Sequence, residues 1–398
     1  MKNRRVFLKN MALLGLGASL SHTPGMLSHA AETTKMEDLV SMIPAWVDEK
    51  IEKAFARYQT WKGNHETIVF PLVSDIHAAR PNFETPPNFN DTQWHILFAQ
   101  QAAKRFQADL YADLGDIGFD RDLQWKPSRY NDAKQRLATQ VEIYRDFAQT
   151  IPTFFCMGNH DSGRAYGNVF SELRLTAREY GEMFNHLTPD HPNRVLGPNS
   201  DYGFFDVPGK SCRVFFLNTS DAYEAGYSVE QLQFLANHLN VPKGFCVVLL
   251  QHISLHPKIG KWNPVREGIS VRNGQWCVQI LEAFVKGEKG EILVDEKNTL
   301  TWDFTQNQNT QLAGILSGHS HFDQQAELRG INYILTQSYG TISQRDLPDL
   351  ARYRPFSRKE QMLLDMVAIQ PSTGEMRFFR IGEGDTECDR IFTMMPKK

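Results

Sequence analysis

Residues 68–77 of the chain read IVFPLVSDIH, an uninterrupted apolar run that passes directly into a polar end. A short apolar run rich in branched side chains predicts a buried β-strand. Asp75 and His77 stand two positions apart, so their side chains point to the same side of an extended segment. The stretch therefore predicts a core strand that presents two potential metal ligands at its C-terminal end.

Four later apolar runs also predict strands that end in potential ligands. They are 109–114 followed by Gly115-Asp116, 152–157 followed by Gly158-Asn159-His160-Asp161, 246–250 followed by Gln251-His252, and 312–317 followed by Gly318-His319-Ser320-His321. Ligands of α/β sheets bind at the carboxyl ends of strands, so we expect these residues to converge on one rim. The glycines before them permit tight turns and close approach of the backbone.

Helical patterns separate many of these strands. The predicted helices are 93–106, 133–147, 229–239 and 275–285, and the further predicted strands are 202–207, 213–218, 333–336, 363–369 and 376–381. This alternation predicts an α/β layered fold. Val47 and Ile51 belong to an amphipathic helix that is expected to pack on the outside of the core. Residues 256–311 interrupt the alternation and are predicted to form an insertion beside the site.

The chemical types of the candidate ligands indicate which metals they would bind. The full set is Asp75, His77, Asp116, Asn159, His252, His319 and His321. It combines carboxylate and amide oxygens with imidazoles and contains no thiolate, which suits divalent Mn, Fe, Zn, Co or Ni. Seven side chains are too many for one catalytic ion that keeps an open position. The set therefore predicts two transition-metal ions per chain, bridged by one carboxylate.

The order of these motifs resembles the calcineurin-like metallophosphoesterase family. The matching elements are Asp-x-His, Gly-Asp, Gly-Asn-His-Asp, His and Gly-His-x-His, spread over residues 75–321. Each motif alone is weak, but all five in this order are specific. The resemblance implies a four-layer α-β-β-α fold, in which two mixed sheets lie between layers of helices.

The resemblance also implies a role for each ligand. One metal would be bound by Asp75, His77 and His321, the other by Asn159, His252 and His319, and Asp116 would bridge the two. The ions would lower the pKa of a water, and the hydroxide would attack phosphorus in line. His160 would lie beyond both ions and protonate or stabilise the leaving oxygen. No phospho-enzyme intermediate is expected.

Position 119 departs from the family pattern in two respects. Many members have an Asp three residues after the bridging Asp, where it orients the catalytic His, but this chain has Phe119. Asp120 and Asp161 are the alternative candidates for that role. Purple acid phosphatases have a Tyr ligand at the same position. Phe119 cannot bind a metal, so a tyrosinate-bound ferric ion is not expected.

Contacts with substrate are less determined by the sequence. Arg80 follows the first motif and Arg164 follows the third, so either could reach a phosphate oxygen. Ordinary solvated arginines are the alternative at both positions. His256 lies four residues after His252 and competes with it for the same role as a ligand.

The N-terminus reads as a targeting segment. Arg4 and Arg5, followed by Phe7-Leu8-Lys9 and a mildly apolar run, resemble the twin-arginine export signal. That run is too short and glycine-rich to serve as a stable membrane anchor. A retained signal anchor and a basic end on a buried helix are the alternatives. The predicted organisation is a signal peptide at 1–30, a helical extension at 31–66 and the phosphoesterase domain at 67–385.

The bulk charge narrows the classes of function. The formal net charge is -3 and 22% of residues are charged, so no basic field favours nucleic acid. The sequence thus predicts a periplasmic or secreted phosphoesterase, exported by the twin-arginine machinery, that hydrolyses monoesters or diesters of a small phosphorylated molecule. A catalytically silent protein that binds a phosphate ligand on the same scaffold, and a nuclease, are the alternatives.

Overall fold

The predicted strand at 68–73 is present, and it belongs to a layered arrangement of strands and helices. The computed structural model describes residues 45–76, 91–118, 130–162, 175–220, 225–257, 259, 271–307, 309–336, 363–382 and 388–396. The helices there are α1 (Ala45–Lys62), α2 (Asp91–Phe106), α3 (Tyr130–Ala148), α4 (Ala177–Tyr180), α5 (Val229–His238) and α6 (Gly274–Lys286). A π-helical turn, Gly181–Asn185, continues α4.

The strands form two large sheets and a hairpin. In chain order they are β1 (Ile68–Val73), β2 (Tyr111–Asp113), β3 (Thr153–Phe155), β4 (Arg194–Leu196), β5 (Gly203–Asp206), β6 (Cys212–Phe216), β7 (Cys246–Gln251), β8 (Lys289–Leu293), β9 (Thr299–Asp303), β10 (Gln311–Ser317), β11 (Gln324–Leu328), β12 (Ile331–Leu335), β13 (Leu363–Gln370), β14 (Glu375–Gly382), β15 (Arg390–Thr393) and β16 (Met395–Pro396).

Both large sheets are mixed. The six-stranded sheet has the order β15-β14-β13-β1-β2-β3, and its strands β1, β2 and β3 are parallel. The eight-stranded sheet has the order β11-β12-β10-β7-β6-β5-β4, with β16 paired to β10. Its strands β6, β7, β10 and β12 are parallel, whereas β5 runs antiparallel to β6. Parallel neighbours need crossover connections, and helices lie between most of these strand pairs in the chain, whereas β11 lies between β10 and β12.

The two sheets pack face to face through an apolar layer. Phe70, Phe154 and Phe378 of the first sheet lie in one buried cluster with Phe216 and Val248 of the second. The rings of Phe154 and Phe216 stack across the layer, with their centroids 5.0 Å apart. Burial of this surface, at about 25 cal/mol per Å² of apolar area, stabilises the sandwich.

Helices cover the outer faces of both sheets. On the first sheet, Tyr58 of α1 contacts Phe379 of β14, with ring centroids 5.8 Å apart. On the second sheet, α5 and α6 bury Leu235 and Leu281 in a separate cluster that includes Leu249 of β7. The predicted four-layer α-β-β-α fold is therefore confirmed. No helix in the described ranges is both long and apolar enough to cross a membrane.

The segment predicted as an insertion contains a core helix. Helix α6 links the parallel neighbours β7 and β10, and its Ile280, Leu281 and Phe284 are buried. It is therefore the crossover that this strand order requires. The hairpin of β8 and β9 is the added part, with Leu293 exposed on its edge strand.

The rim predicted from the sequence is made by two sheets. Strands β1, β2 and β3, which precede three of the predicted ligand motifs, belong to the six-stranded sheet, whereas β7 and β10 belong to the eight-stranded sheet. Each motif begins where its strand ends. The five loops therefore meet where the C-terminal strand ends of the two sheets come together.

Candidate metal centre

Six of the seven predicted ligands lie in the described part of the chain, and His77 lies outside it. Two groups of side chains there could each hold a metal ion, because one ligand atom of every member lies within 4.8 Å of the others. The groups are Asp116, His252 and His319, and Asp75, Asp116 and His321. Asp116 belongs to both, as expected for a bridging carboxylate.

Asp75 is held so that one oxygen faces the site. Its Oδ2 accepts hydrogen bonds from the Ser74 hydroxyl and, at 2.9 Å, from the His319 amide. Its Oδ1 lies 3.2 Å from Nε2 of His321. The Asp75 amide donates to the Gly115 carbonyl at 2.9 Å, which ties the loops after β1 and β2 together. These contacts fix which oxygen can bind a metal.

Asp116 lies at the centre of the site. Its Oδ1 accepts the His160 amide at 2.7 Å, and its Oδ2 is 3.2 Å from Nε2 of His252. The same Oδ2 is 4.0 Å from Nε2 of His160, whose side chain is 14% exposed. Asp116 thus lies beside the fully buried imidazole of His252 and the partly exposed imidazole of His160.

The ring of His252 is oriented by the backbone. Its Nδ1 donates to the Leu114 carbonyl at 2.9 Å, so Nδ1 carries a proton. Its Nε2 then faces Oδ1 of Asn159 at 2.9 Å and the Asp116 carboxylate. Three electron-rich atoms at these distances require either a protonated imidazole or a cation among them.

The backbone of the ligand loops is unusual. Asp75, Asp116, His319 and His321 all have positive φ, between 55° and 68°. Residues with side chains rarely adopt this conformation, which occurs mainly at sites where the surrounding structure holds it in place. The loops of the site approach one another very closely. A Cβ on Gly158 would overlap Asp116, and a Cβ on Gly318 would overlap Ser74.

The electrostatics of the site favour a positive charge. Burial alone would raise the pKa of Asp75, but the charge and hydrogen bond of His321 lower it below its ordinary range. Burial would lower the pKa of His252, but the Asp116 carboxylate outweighs it and raises this pKa to about 9. Burial and the charge of His252 lower the pKa of His319 to about 3, so His319 is neutral and able to bind a metal.

The residues present therefore fit two metal ions. Buried carboxylates supply negative charge, the neutral imidazole of His319 supplies a nitrogen donor, and backbone groups satisfy the atoms that face away from the site. The described donors contain oxygen and nitrogen and no sulfur, which matches Mn, Fe, Zn, Co or Ni.

Asp161 has a different contact set from the predicted one. Its Oδ2 accepts the backbone amides of Asp116 and Gly158, both at 2.9 Å, and its Oδ1 accepts the Gly118 amide at 2.7 Å. Burial and the nearby Asp116 charge raise its pKa to about 7. Asp161 therefore holds the loops after β2 and β3 together through backbone amides, and a part in orienting His160 stays a prediction.

Asp120, Phe119, Arg80 and Arg164 lie outside the described residues. His256 is described, and its ring lies edge-on to Tyr333 with centroids 5.1 Å apart, outside both metal groups. His252 is therefore the histidine of this strand end that faces the metal groups.

Sequence reasoning missed a buried acid beneath the site. Asp113 of β2 accepts the Gly115 amide at 3.0 Å and the Tyr144 hydroxyl at 2.8 Å. Burial raises its pKa to about 8. A signal was present in the sequence, since Asp113 is a carboxylate within an apolar strand, but its position gave no partner for it.

Comparison with known proteins supports the same class of fold. The family model described as calcineurin-like phosphoesterase matches residues 68–323. No curated protein sequence matches the chain. A dimetal phosphatase from Danio rerio has a similar structure, with a TM-score of 0.52 and 12% identity over 82% of this chain and 98% of that chain.

A purple acid phosphatase from yellow lupin (Lupinus luteus) gives a TM-score of 0.47 and 12% identity over 84% of this chain and 54% of that one. At these identities, the likeness to solved structures concerns the fold. The family match covers more than half of the chain and all five ligand-bearing strands. The chain therefore belongs to the calcineurin-like phosphoesterase family.

Proposed function

We propose that this protein is an exported two-metal phosphoesterase that hydrolyses phosphomonoesters or phosphodiesters of a small molecule. The observation that carries the proposal is the pair of potential metal groups that share Asp116. Two ions a few ångströms apart, with a common carboxylate, suit in-line displacement at phosphorus. The net charge of -3 gives no support to a nucleic acid substrate.

When bound, the ions would supply Lewis-acid stabilisation of the phosphoryl oxygens and an activated water. The chain's own contribution is to fix and orient the donors. Asp116 holds the two halves of the site on a common carboxylate, and the Leu114 carbonyl directs the ring of His252. His160 lies within reach of the site and is partly exposed, so it can donate a proton to the leaving oxygen.

Turnover of two chromogenic esters tests the proposal. Metal-free protein is loaded separately with Mn, Fe, Zn, Co or Ni and assayed with p-nitrophenyl phosphate and bis-p-nitrophenyl phosphate. We expect at least one metal to support hydrolysis, and a chelator to abolish it. The relative rates on the two esters report the preference for monoesters or diesters. Binding of phosphate without turnover under every metal would favour a silent binding protein instead.

We also propose export of the folded protein by the twin-arginine machinery to the periplasm or the medium. The support is the order Arg4-Arg5-x-Phe7-Leu8-Lys9, followed by a mildly apolar run. Changing Arg4 and Arg5 together to Lys keeps the charge but removes the arginine pair. We expect the precursor of this variant to remain in the cytoplasm, measured by fractionation and immunoblotting. Unchanged export would contradict this part of the proposal.

A further inference from the structure

We propose that Asp323 and Arg380 are positioning residues for the metal centre, and that their ion pair holds the His319–His321 loop against the opposite sheet. The inference rests on the proposed function, because it concerns how the metal site is assembled. Asp323 follows His321 by two residues, at the end of the loop that joins β10 to β11.

The guanidinium of Arg380 contacts both oxygens of Asp323. Its terminal nitrogen donates to Oδ1 at 2.9 Å and to Oδ2 at 2.8 Å. Arg380 is fully buried, and the Asp323 side chain is 26% exposed. A charge-assisted contact to both oxygens restricts direction as well as distance, so it fixes how the loop leaves the site.

Arg380 is anchored in the six-stranded sheet. Its Nε donates to Oδ1 of Asp365 at 2.7 Å, and Asp365 also accepts a 2.9 Å hydrogen bond from Arg390. Asp365 lies on β13 opposite Leu72 of β1, three residues before the ligand Asp75. The ion pair therefore connects the strand region that positions Asp75 with the loop that carries His321.

The ion pair of Arg380 and Asp323 links the two sheets that contribute residues to one metal group. Asp75 follows a strand of the six-stranded sheet, whereas His321 follows a strand of the eight-stranded sheet, yet both belong to one metal group. Phe322 is buried in the cluster beneath the eight-stranded sheet, so it anchors the loop on its own side. Asp323 anchors the same loop on the other side.

The energetics favour a positioning role over a purely stabilising one. Burying a guanidinium costs desolvation that a salt bridge often only offsets, so such pairs are weak evidence for stability. Residues that orient metal ligands from behind do affect affinity, typically by a factor of about 10 to 100. The ion pair of Arg380 and Asp323 acts one step farther out, because it holds the backbone two residues beyond His321.

The experiment titrates Co²⁺ into metal-free wild-type protein and into Asp323→Asn. This substitution is nearly isosteric, and Arg380 keeps its contacts with Asp365. We expect one of the two ions to bind about tenfold more weakly in the variant, with altered visible absorption bands of the bound Co²⁺. Asp323→Glu, which keeps the charge, should recover part of the affinity.

The matched control is Asp206→Asn. Asp206 ends β5, is 27% exposed and pairs through both oxygens with the buried Arg213, at 2.6 and 2.7 Å. Arg213 lies near the start of β6, which is parallel to β7, so the pair is at the opposite end of the sheet from His252. We expect this variant to bind both ions as the wild type does. Unchanged Co²⁺ affinity and absorption in Asp323→Asn, or an equal loss in both variants, would overturn the inference. Failure of the wild-type protein to bind Co²⁺ would instead overturn the proposed function.

Discussion

Asn159 and His160 are adjacent in the chain, and we propose different tasks for them at the site. The Asn159 side chain faces Nε2 of His252 at 2.9 Å, in the middle of the candidate ligands. His160 donates its backbone amide to Asp116, and its side chain is partly exposed, with Nε2 4.0 Å from the same carboxylate. A side chain that binds metal and one that transfers a proton should respond differently to truncation.

We predict that Asn159→Ala loses metal, because a donor oxygen is removed from the ligand set. His160→Ala should keep its metal content, because the backbone amide that contacts Asp116 remains. Its turnover should fall by about 10² or more, the usual contribution of a general acid. Metal content by mass spectrometry and initial rates on bis-p-nitrophenyl phosphate measure the two effects. Wild-type turnover in both variants would contradict the assigned roles.

At this scale the sequence predicted residues that the structure brings together, but not the contacts of Asp161. The ligand types stood at strand ends in a specific order, so Asp75, Asp116 and His252 could be named from the sequence. Asp161 could not be interpreted in the same way, because two of its three partners are backbone amides 43 and 45 residues away. Contacts of a side chain with a distant backbone leave no residue pattern in the sequence.

Strands β13 and β14 contribute a buried ion cluster to the six-stranded sheet. Asp365 is fully buried and accepts hydrogen bonds from Arg380, Arg390 and Thr336. Burial alone would raise the pKa of Asp365, but the charges of the two arginines outweigh it and lower this pKa to about 2. Protonation of Asp365 therefore costs stability.

We predict that the metal-free protein loses stability as the pH falls from about 4 to about 2. A carboxyl group whose pKa is lowered on folding adds stability above its unfolded pKa, here 3.8, and loses it as the pH falls through the folded pKa. Urea unfolding at a series of pH values measures the free energy of unfolding. Asp365→Asn should be less stable at pH 6 and should lose less on acidification. An equal acid dependence in both proteins would contradict this assignment.

Some strands were predicted with nearly correct bounds, whereas others were missed. Strand β1 has the predicted bounds, and β7 and β13 differ by one residue, because continuous apolar runs carry a strong signal. The hairpin of β8 and β9 was missed within a polar stretch. Its second strand has an alternating pattern, with Leu300 and Trp302 buried between exposed residues, that could have identified it. Short strands with a single buried residue, such as Ile292 in β8, give little signal.

The whole molecule brings two sheets together at one metal centre. The sequence predicted the layers, but it could not divide the ligand-bearing strands between sheets, because strand order depends on pairing between distant segments. Asp116 belongs to the first sheet's loops and lies 3.2 Å from His252, which follows a strand of the second. The Asp116 carboxylate therefore lies beside candidate ligands from both sheets and belongs to both metal groups.

The most direct test of this account is the metal content of Asp116→Asn beside that of Asp113→Asn. Asp113 lies three residues earlier, and burial raises its pKa to about 8, so near neutral pH it is protonated and an amide is a close replacement. After loading with Mn, Fe, Zn, Co or Ni, the ions bound per chain are counted by mass spectrometry. We predict two ions in the wild type and in Asp113→Asn, and a loss of at least one in Asp116→Asn. Two ions bound by Asp116→Asn with wild-type affinity would contradict a dinuclear centre shared on Asp116.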